Sequence, residues 1–380
     1  MRIVLWQSCL SPHQSAYIRA LASKSNVSVI LAVQEELPSW RRESGWKIPD
    51  FGNCEVVVGP DPRTTARLLT EAKDSSVHIF SAARSVPIVW AAFQRALRAD
   101  VRVGILSETF DWRGLAGAAR LVRGWIDRQR QEPRVGFVLA MGKLGIRWFR
   151  KIGYPEEKLY PFGYFVEKPG IVGTVRLDRD DYSDGTVNLV FIGQCVHRKG
   201  GDILLGALST LKDLNWRLTI IGDGPERANL LALADQNGIS TRVSFLGSVE
   251  NDKAMALLER GDLLILPSRM DGWGAVANES LMRGIPVICS SSCGVADLLG
   301  APERGDVFPS GSTEALRQLL AARIAQGKRR EETSQRIRQW SACIEGPPAA
   351  DYLLRVLDAS GSGAPRPTPP WLVPDGETAP

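Results

Sequence analysis

Short runs of Val, Ile and Leu recur along the chain: RIVLW, VSVILAV, CEVVV, VHIF, VRVGILS and GFVLAM in the first half, then VNLVFIG, RLTIIG, RVSFLG, DLLILPS and IPVICS. Longer segments with helical spacing separate them. Continuous apolar runs alternating with helices predict parallel strands covered on both faces, and two successive sets predict two doubly wound, Rossmann-like α/β domains. The strand pattern restarts at VNLVFIG after EKPGIVGTVRLDRDDYSDGT, whose Gly and Asp content reads as a linker. The expected division is a first domain over 1–165, a linker over 166–186 and a second domain over 187–345. A helix over 346–359 is expected to pack back on the first domain. The tail 360–380 loses periodicity among its prolines and is expected to be disordered.

Composition changes this picture little. With 380 residues and 44% hydrophobic content the chain has material for two cores. The start, MRIVLWQSCLSPHQ, is too short in apolar residues for a signal peptide, and no apolar run reaches bilayer-spanning length. A cytoplasmic protein is expected. Six cysteines are too sparse for a disulfide framework, and Cys289 and Cys293 lack the further ligands of a zinc site.

Charge is more informative. The net +5 divides into +9 over residues 1–165, which hold 24 Lys+Arg and 15 Asp+Glu, and −4 over the rest. Six arginines fall in RGLAGAARLVRGWIDRQRQEPR, 113–134, interleaved with Leu, Val, Trp and Ile. That stretch suits either a solvated helix face or an anionic bilayer surface. No nucleic-acid recognition module accompanies the charge, so no specific nucleic-acid partner is expected.

In open parallel sheets ligands bind beyond the carboxyl ends of strands, so the chemistry is sought in strand-to-helix loops. DLLILPS ends as a buried strand, and AVANESLMRG fits a short helix closed by Gly284. Between them, Gly274, Ala275 and Val276 would offer unpaired N–H groups to a phosphate. Asp271 and Glu279, eight residues apart, would accept hydrogen bonds from hydroxyls on either side of it; a capping box spaces its members three apart. In FIGQCVHRKGGDILLGAL, Arg198 and Lys199 follow Gly193 and Gln194 at a strand end and suit a departing pyrophosphate. IIGDGPERANLL has the Gly222-x-Gly224 pair, but Arg227 stands where a dinucleotide fingerprint needs its last glycine.

Together, over about residues 187–310, these loops resemble the carboxyl-terminal half of the retaining GT-B glycosyltransferases of family 4. FIGQCVHRKGGDILLGAL is similar to that family's phosphate-binding turn with its lysine, here Lys199. LTIIGDGPERANL and VSFLGSV resemble the next segments, the second placing Ser248 near the nucleoside base. LPSRMDGWGAVANESLMRGIPVI resembles the acid-x7-acid signature. The resemblance implies that Asp271 contacts the donor hexose and Glu279 the ribose, and that Gly193, Gln194, Arg198, Lys199 and the amides at 274–276 hold the diphosphate. The family commonly has glutamate at the first acid and arginine where Gln194 stands; Arg198 is the candidate substitute. It also implies transfer of a hexosyl unit from a nucleoside diphosphate sugar to an acceptor hydroxyl with retention, without a metal or other cofactor. Asp178 and Asp180 have Asp-x-Asp spacing but fall in the linker.

The first half resembles the family only in strand–helix rhythm. Glu108 in GILSETFDW and His13 in SPHQSAYIRAL are the candidates for contacting the acceptor, with Ser11 capping a helix that Pro12 opens. His78 inside VHIF reads as a packed residue. A glycan or lipid-linked glycan acceptor in cell-surface polysaccharide or lipopolysaccharide synthesis is expected, with peripheral attachment at the inner membrane face. The competing readings are an epimerase or phosphorylase on the same architecture and a non-catalytic sugar-nucleotide binder.

Overall fold

Each apolar run becomes a strand in the computed structural model, which describes residues 1–43, 45–81, 83–168 and 185–373. The first sheet contains β1 (Arg2–Gln7), β2 (Ser28–Val33), β3 (Glu55–Val58), β4 (Ser76–Ser81), β5 (Arg102–Ser107), β6 (Val135–Met141) and β7 (Leu159–Phe162). Its order is β3-β2-β1-β4-β5-β6-β7, with parallel pairing throughout. The second contains β8 (Val187–Ile192), β9 (Trp216–Ile221), β10 (Val243–Gly247), β11 (Leu263–Leu266), β12 (Val287–Ser290) and β13 (Gly305–Phe308), in the order β10-β9-β8-β11-β12-β13, also parallel. Both are doubly wound. In each, strand order reverses beside the first strand, between β1 and β4 and between β8 and β11, which is where such sheets open a crevice for ligands.

The chain divides into two units: Met1–Glu43 with Lys47–Glu167 and Cys343–Pro380, and Ser44–Trp46 with Lys168–Ala342. Most of the expected linker, including Asp178 and Asp180, lies outside the described residues. The carboxyl-terminal helix Gly346–Ser362 packs on the helix Pro12–Ala22 within the first unit. Gly346 permits this closeness, since a Cβ there would come within 2.4 Å of the Ala16 carbonyl oxygen. The tail departs from the expected disorder over its described part. Trp371 is buried, its ring 5.4 Å from both Phe165 and Tyr352, and Arg366 donates to the Leu159 carbonyl. One aromatic anchor outweighs a proline-rich composition because it buries a large apolar area against rings already in place. Residues 374–380 lie outside the described residues.

Each unit has its own core. In the second, Leu189, Phe191, Leu218 and Ile220 of the sheet meet Leu204, Leu205 and Leu208 of the helix Gly201–Leu208. In the first, Trp6 stacks on Phe80 at 5.6 Å, and its indole N–H donates to Nδ1 of His78 at 3.2 Å. His78 is fully buried, and desolvation, helped by the nearby Arg2 charge, pushes its pKa down to about 4. The folded chain therefore refuses a proton that the unfolded chain accepts below its ordinary pKa near 6.5. Stability is complete above that value and should fall by about 3 kcal/mol as pH drops toward 4. Denaturant unfolding at stepped pH checks this. The slope over that interval should flatten in His78→Gln, and an unchanged slope would remove His78 as its source.

Candidate functional site

Two loops at the β8/β11 reversal meet through several contacts: the Arg269 N–H donates to the Arg198 carbonyl at 2.8 Å, its guanidinium pairs with Asp202, and Lys199 pairs with Asp271. The turn after β8 ends in a short 3-10 segment, His197–Lys199, closed by Gly200 in the left-handed region. It brings the Lys199 ammonium to 2.5 Å from Oδ2 of Asp271, which leads the loop after β11. Both side chains are largely buried, at 18% and 11% exposure, so the pair sits in a medium where its charges interact more strongly than in water. Asp271 does not cap the following helix: the helix Val276–Met282 has no side-chain cap, and the carboxylate is turned to Lys199 instead. Gly193 lies beside the lysine, where a Cβ would fall at an ordinary contact distance of 3.8 Å from its Cδ and Cε.

Beyond Asp271 the chain turns through Gly274, whose φ of 97° suits glycine. The N–H groups of Gly274, Ala275 and Val276 donate to no acceptor among the described residues, as the start of a helix leaves them. Glu279 stands in the first turn of that helix. Its carboxylate accepts no hydrogen bond among the described residues, and burial raises its pKa to about 7 against the opposing pull of Arg283. Arg283 itself donates to the Glu279 backbone carbonyl and to the Glu259 carboxylate. Gln194, Arg198 and Ser248 are exposed on the loops after β8 and β10.

The loop after β9 acts as a support for this arrangement. A Cβ on Gly222 would come within 2.1 Å of the Gly193 carbonyl oxygen, and one on Gly224 within 2.5 Å of that of Cys195. Cys195 N–H donates to Asp223 at 2.8 Å and Glu226 N–H to Cys195 at 2.9 Å. The Gly-x-Gly pair thus lets two loop backbones lie against each other.

Several supporting residues were not foreseen. The loop after β12 braces Asp271: the Asp271 N–H donates to Ser292 and Gly294 donates back to Asp271. A Cβ on Gly294 would meet the Gly272 carbonyl oxygen at 2.2 Å. Trp273 is buried with its indole N–H on Oδ1 of Asn278 at 2.8 Å, which fixes the turn to the helix. The run SSSCG at 290–294 was the available signal, small residues marking close approach. Cys289 and Cys293 are buried thiols in contact; hydrogen bonding between them holds the Cys293 thiol down and pushes that of Cys289 up.

In the first unit, His13 lies at the start of the helix Pro12–Ala22, where the Ser11 hydroxyl accepts its backbone N–H at 3.3 Å. Glu108 directly follows β5. The structure joins them through Tyr164, just after β7: its hydroxyl donates to Oε1 of Glu108, and its ring lies 5.3 Å from that of His13. Tyr164 was missed because GYF carries no motif; only the pairing of β7 beside β6 brings it to the carboxyl edge of this sheet.

Residues 182–340 match the family model described as glycosyl transferases group 1. Over 112 residues the chain is 32% identical to the 2-deoxystreptamine glucosyltransferase of Streptomyces kanamyceticus, covering 29% of each chain. Over 166 residues it is 30% identical to the lipopolysaccharide core biosynthesis glycosyltransferase LpsE of Rhizobium meliloti, covering 44% of this chain and 47% of that one. The chain thus spans less than half the length of either relative. The crystal structure of HepE from Anabaena, in complex with UDP, superposes with a TM-score of 0.68 at 15% identity, covering 94% of this chain and all of the other. The two parallel-sheet units have the GT-B fold.

Proposed function

We propose that this GT-B chain is a retaining glycosyltransferase of family 4 that moves a hexosyl unit from a nucleoside diphosphate sugar to an acceptor hydroxyl, in cell-surface polysaccharide or lipopolysaccharide synthesis. The observation that carries the reading is the Lys199–Asp271 pair at the strand-order reversal, beside three N–H groups with no acceptor among the described residues. Breaking the anomeric bond places positive charge on the sugar and negative charge on the leaving diphosphate. Lys199, with Arg198 and the amides of Gly274, Ala275 and Val276, opposes the second charge. Asp271 orients both the lysine and a hexose hydroxyl. Glu279 accepts from the ribose hydroxyls, and Ser248 borders the base, with Gly193 and Gln194 flanking the phosphates.

No step of this scheme requires a metal, because fixed cations and amides take the leaving charge. The departing diphosphate accepts the acceptor proton on the same face, giving retention. Glu108 and His13, joined by Tyr164, contact the acceptor. Thermal-shift screening with UDP-, GDP- and ADP-sugars, followed by NMR of the product anomer, tests the reading. A stabilising donor and a retained anomeric configuration are expected. Stabilisation by none of the three, or an inverted product, would overturn it.

The raised pKa of Glu279 adds a pH dependence. A carboxylate accepts two hydroxyl donors, whereas a protonated carboxyl must itself donate, so donor binding requires the ionised form. Affinity should be full above about pH 7 and weaken by up to tenfold per unit below it. Calorimetry between about pH 5.5 and 8.5 checks this. Glu279→Gln should bind weakly at every pH, and a profile identical to that of the native chain would remove Glu279 from the ribose.

A further inference from the structure

The helix Gly114–Gln131 packs Leu121 against the core but carries its other large apolar residues on the side away from packing. Of its 18 residues only Gly117 is buried. Leu115 is 93% exposed, Val122 59%, Trp125 53% and Ile126 44%. At about 100° per residue, Leu115, Val122 and Ile126 fall within roughly 40° of one another, while Gly117 and Gly124 fall on the opposite side. The glycines face inward: a Cβ on Gly117 would lie 2.1 Å from the Trp112 backbone, and one on Gly124 2.8 Å from the Ile152 side chain. A helix that seats itself on two glycines and Leu121 and turns Leu115, Val122, Trp125 and Ile126 to solvent offers these four to something outside the chain.

Charge indicates the occupant. The acids along this segment are already engaged, Asp111 by Arg113, Asp127 by Arg84 and Glu132 by Arg128 and Lys158. Arg123, Arg130 and Arg134 are exposed and form no ion pair among the described residues. Arg123 and Arg130 flank the apolar stripe on one side and Trp125 on the other. An apolar stripe edged by free guanidinium groups and an amphipathic ring matches the layering of an anionic bilayer surface, where acyl carbon lies beneath phosphate. A second copy of the chain would set these same arginines against each other. No helix among the described residues is long and apolar enough to cross a membrane, so contact would be interfacial.

We infer that the outward face of Gly114–Gln131 docks on anionic lipid bilayers, with Leu115, Val122, Trp125 and Ile126 entering the headgroup boundary and Arg123, Arg130 and Arg134 pairing with lipid phosphates. This inference stands apart from the sugar-transfer reading, since lipid binding needs no donor or acceptor.

The experiment is flotation of the full chain with vesicles of phosphatidylcholine alone or with an equal part of phosphatidylglycerol, at low and at physiological salt. The native chain should float with the anionic vesicles only, and less at higher salt. The triple variant Leu115→Ser, Val122→Ser, Ile126→Ser and the double variant Arg123→Glu, Arg130→Glu should each lose at least about tenfold in partitioning. Their melting temperatures should match the native chain, because the altered side chains face solvent. Native chain that stays unbound at low salt, or a serine variant that floats equally well, would overturn the inference. So would a native dimer in sedimentation that the serine variant converts to monomer, which would assign the face to a second copy.

Discussion

Lys199→Ala should lower the rate of sugar transfer by about 10² to 10³-fold while leaving nucleotide binding measurable. The expected size follows from removing one fixed charge from the place where negative charge develops. Lys199 is held by Asp271 at 2.5 Å, so it is positioned before any ligand arrives and need not be reorganised during reaction. Its loss also leaves Asp271 largely buried beside no cation, which costs stability as well as activity. The double variant Lys199→Ala, Asp271→Asn separates these effects: stability should recover toward the native value while transfer stays low. Rates with a donor identified by the thermal screen, alongside denaturant midpoints, provide the measurement. A single variant within about threefold of the native rate would exclude Lys199 from the leaving-group role.

A large loss of stability from a one-methyl change near the site is expected for Gly200→Ala. Gly200 has φ of 70°, a conformation costing an L-residue about 1–2 kcal/mol. The added Cβ would lie 2.1 Å from the Pro267 carbonyl oxygen, so the turn must also move away from the loop after β11. The sum should be a destabilisation of about 2–4 kcal/mol. Because Lys199 immediately precedes this turn, the displacement should separate the ammonium from Asp271 and lower transfer beyond what instability explains. Gly305→Ala is the control: its φ is 137° and its Cβ would meet the Val287 carbonyl oxygen at 1.7 Å, but it lies on the edge strand β13. It should destabilise without altering transfer by the folded fraction. Gly200→Ala behaving like Gly305→Ala in rate per folded molecule would break the link between this turn and the lysine.

The apolar runs announced eleven of the thirteen strands among the described residues. The two left out, β7 and β13, are LYPF and GDVF, each at the edge of its sheet. Each is only four residues long and includes a proline or a glycine, so neither forms a run of Val, Ile and Leu. The acid pair and the basic turn were legible because their residue types are unusual for strand-to-helix loops. Trp371 and Tyr164 were not, since a single aromatic gains meaning only from the surface it meets.

The order of residues therefore determined the two doubly wound units, the loops to search and the chemical character of each loop, because local periodicity and turn composition act over a few positions. Only the tertiary structure decided that Lys199 turns to Asp271, 72 residues away, that Tyr164 ties Glu108 to His13, and that the helix Gly114–Gln131 faces Gly117 and Gly124 inward. Those outcomes depend on which strands lie side by side and which backbones approach closely. Such contacts join distant positions, and no local pattern encodes them.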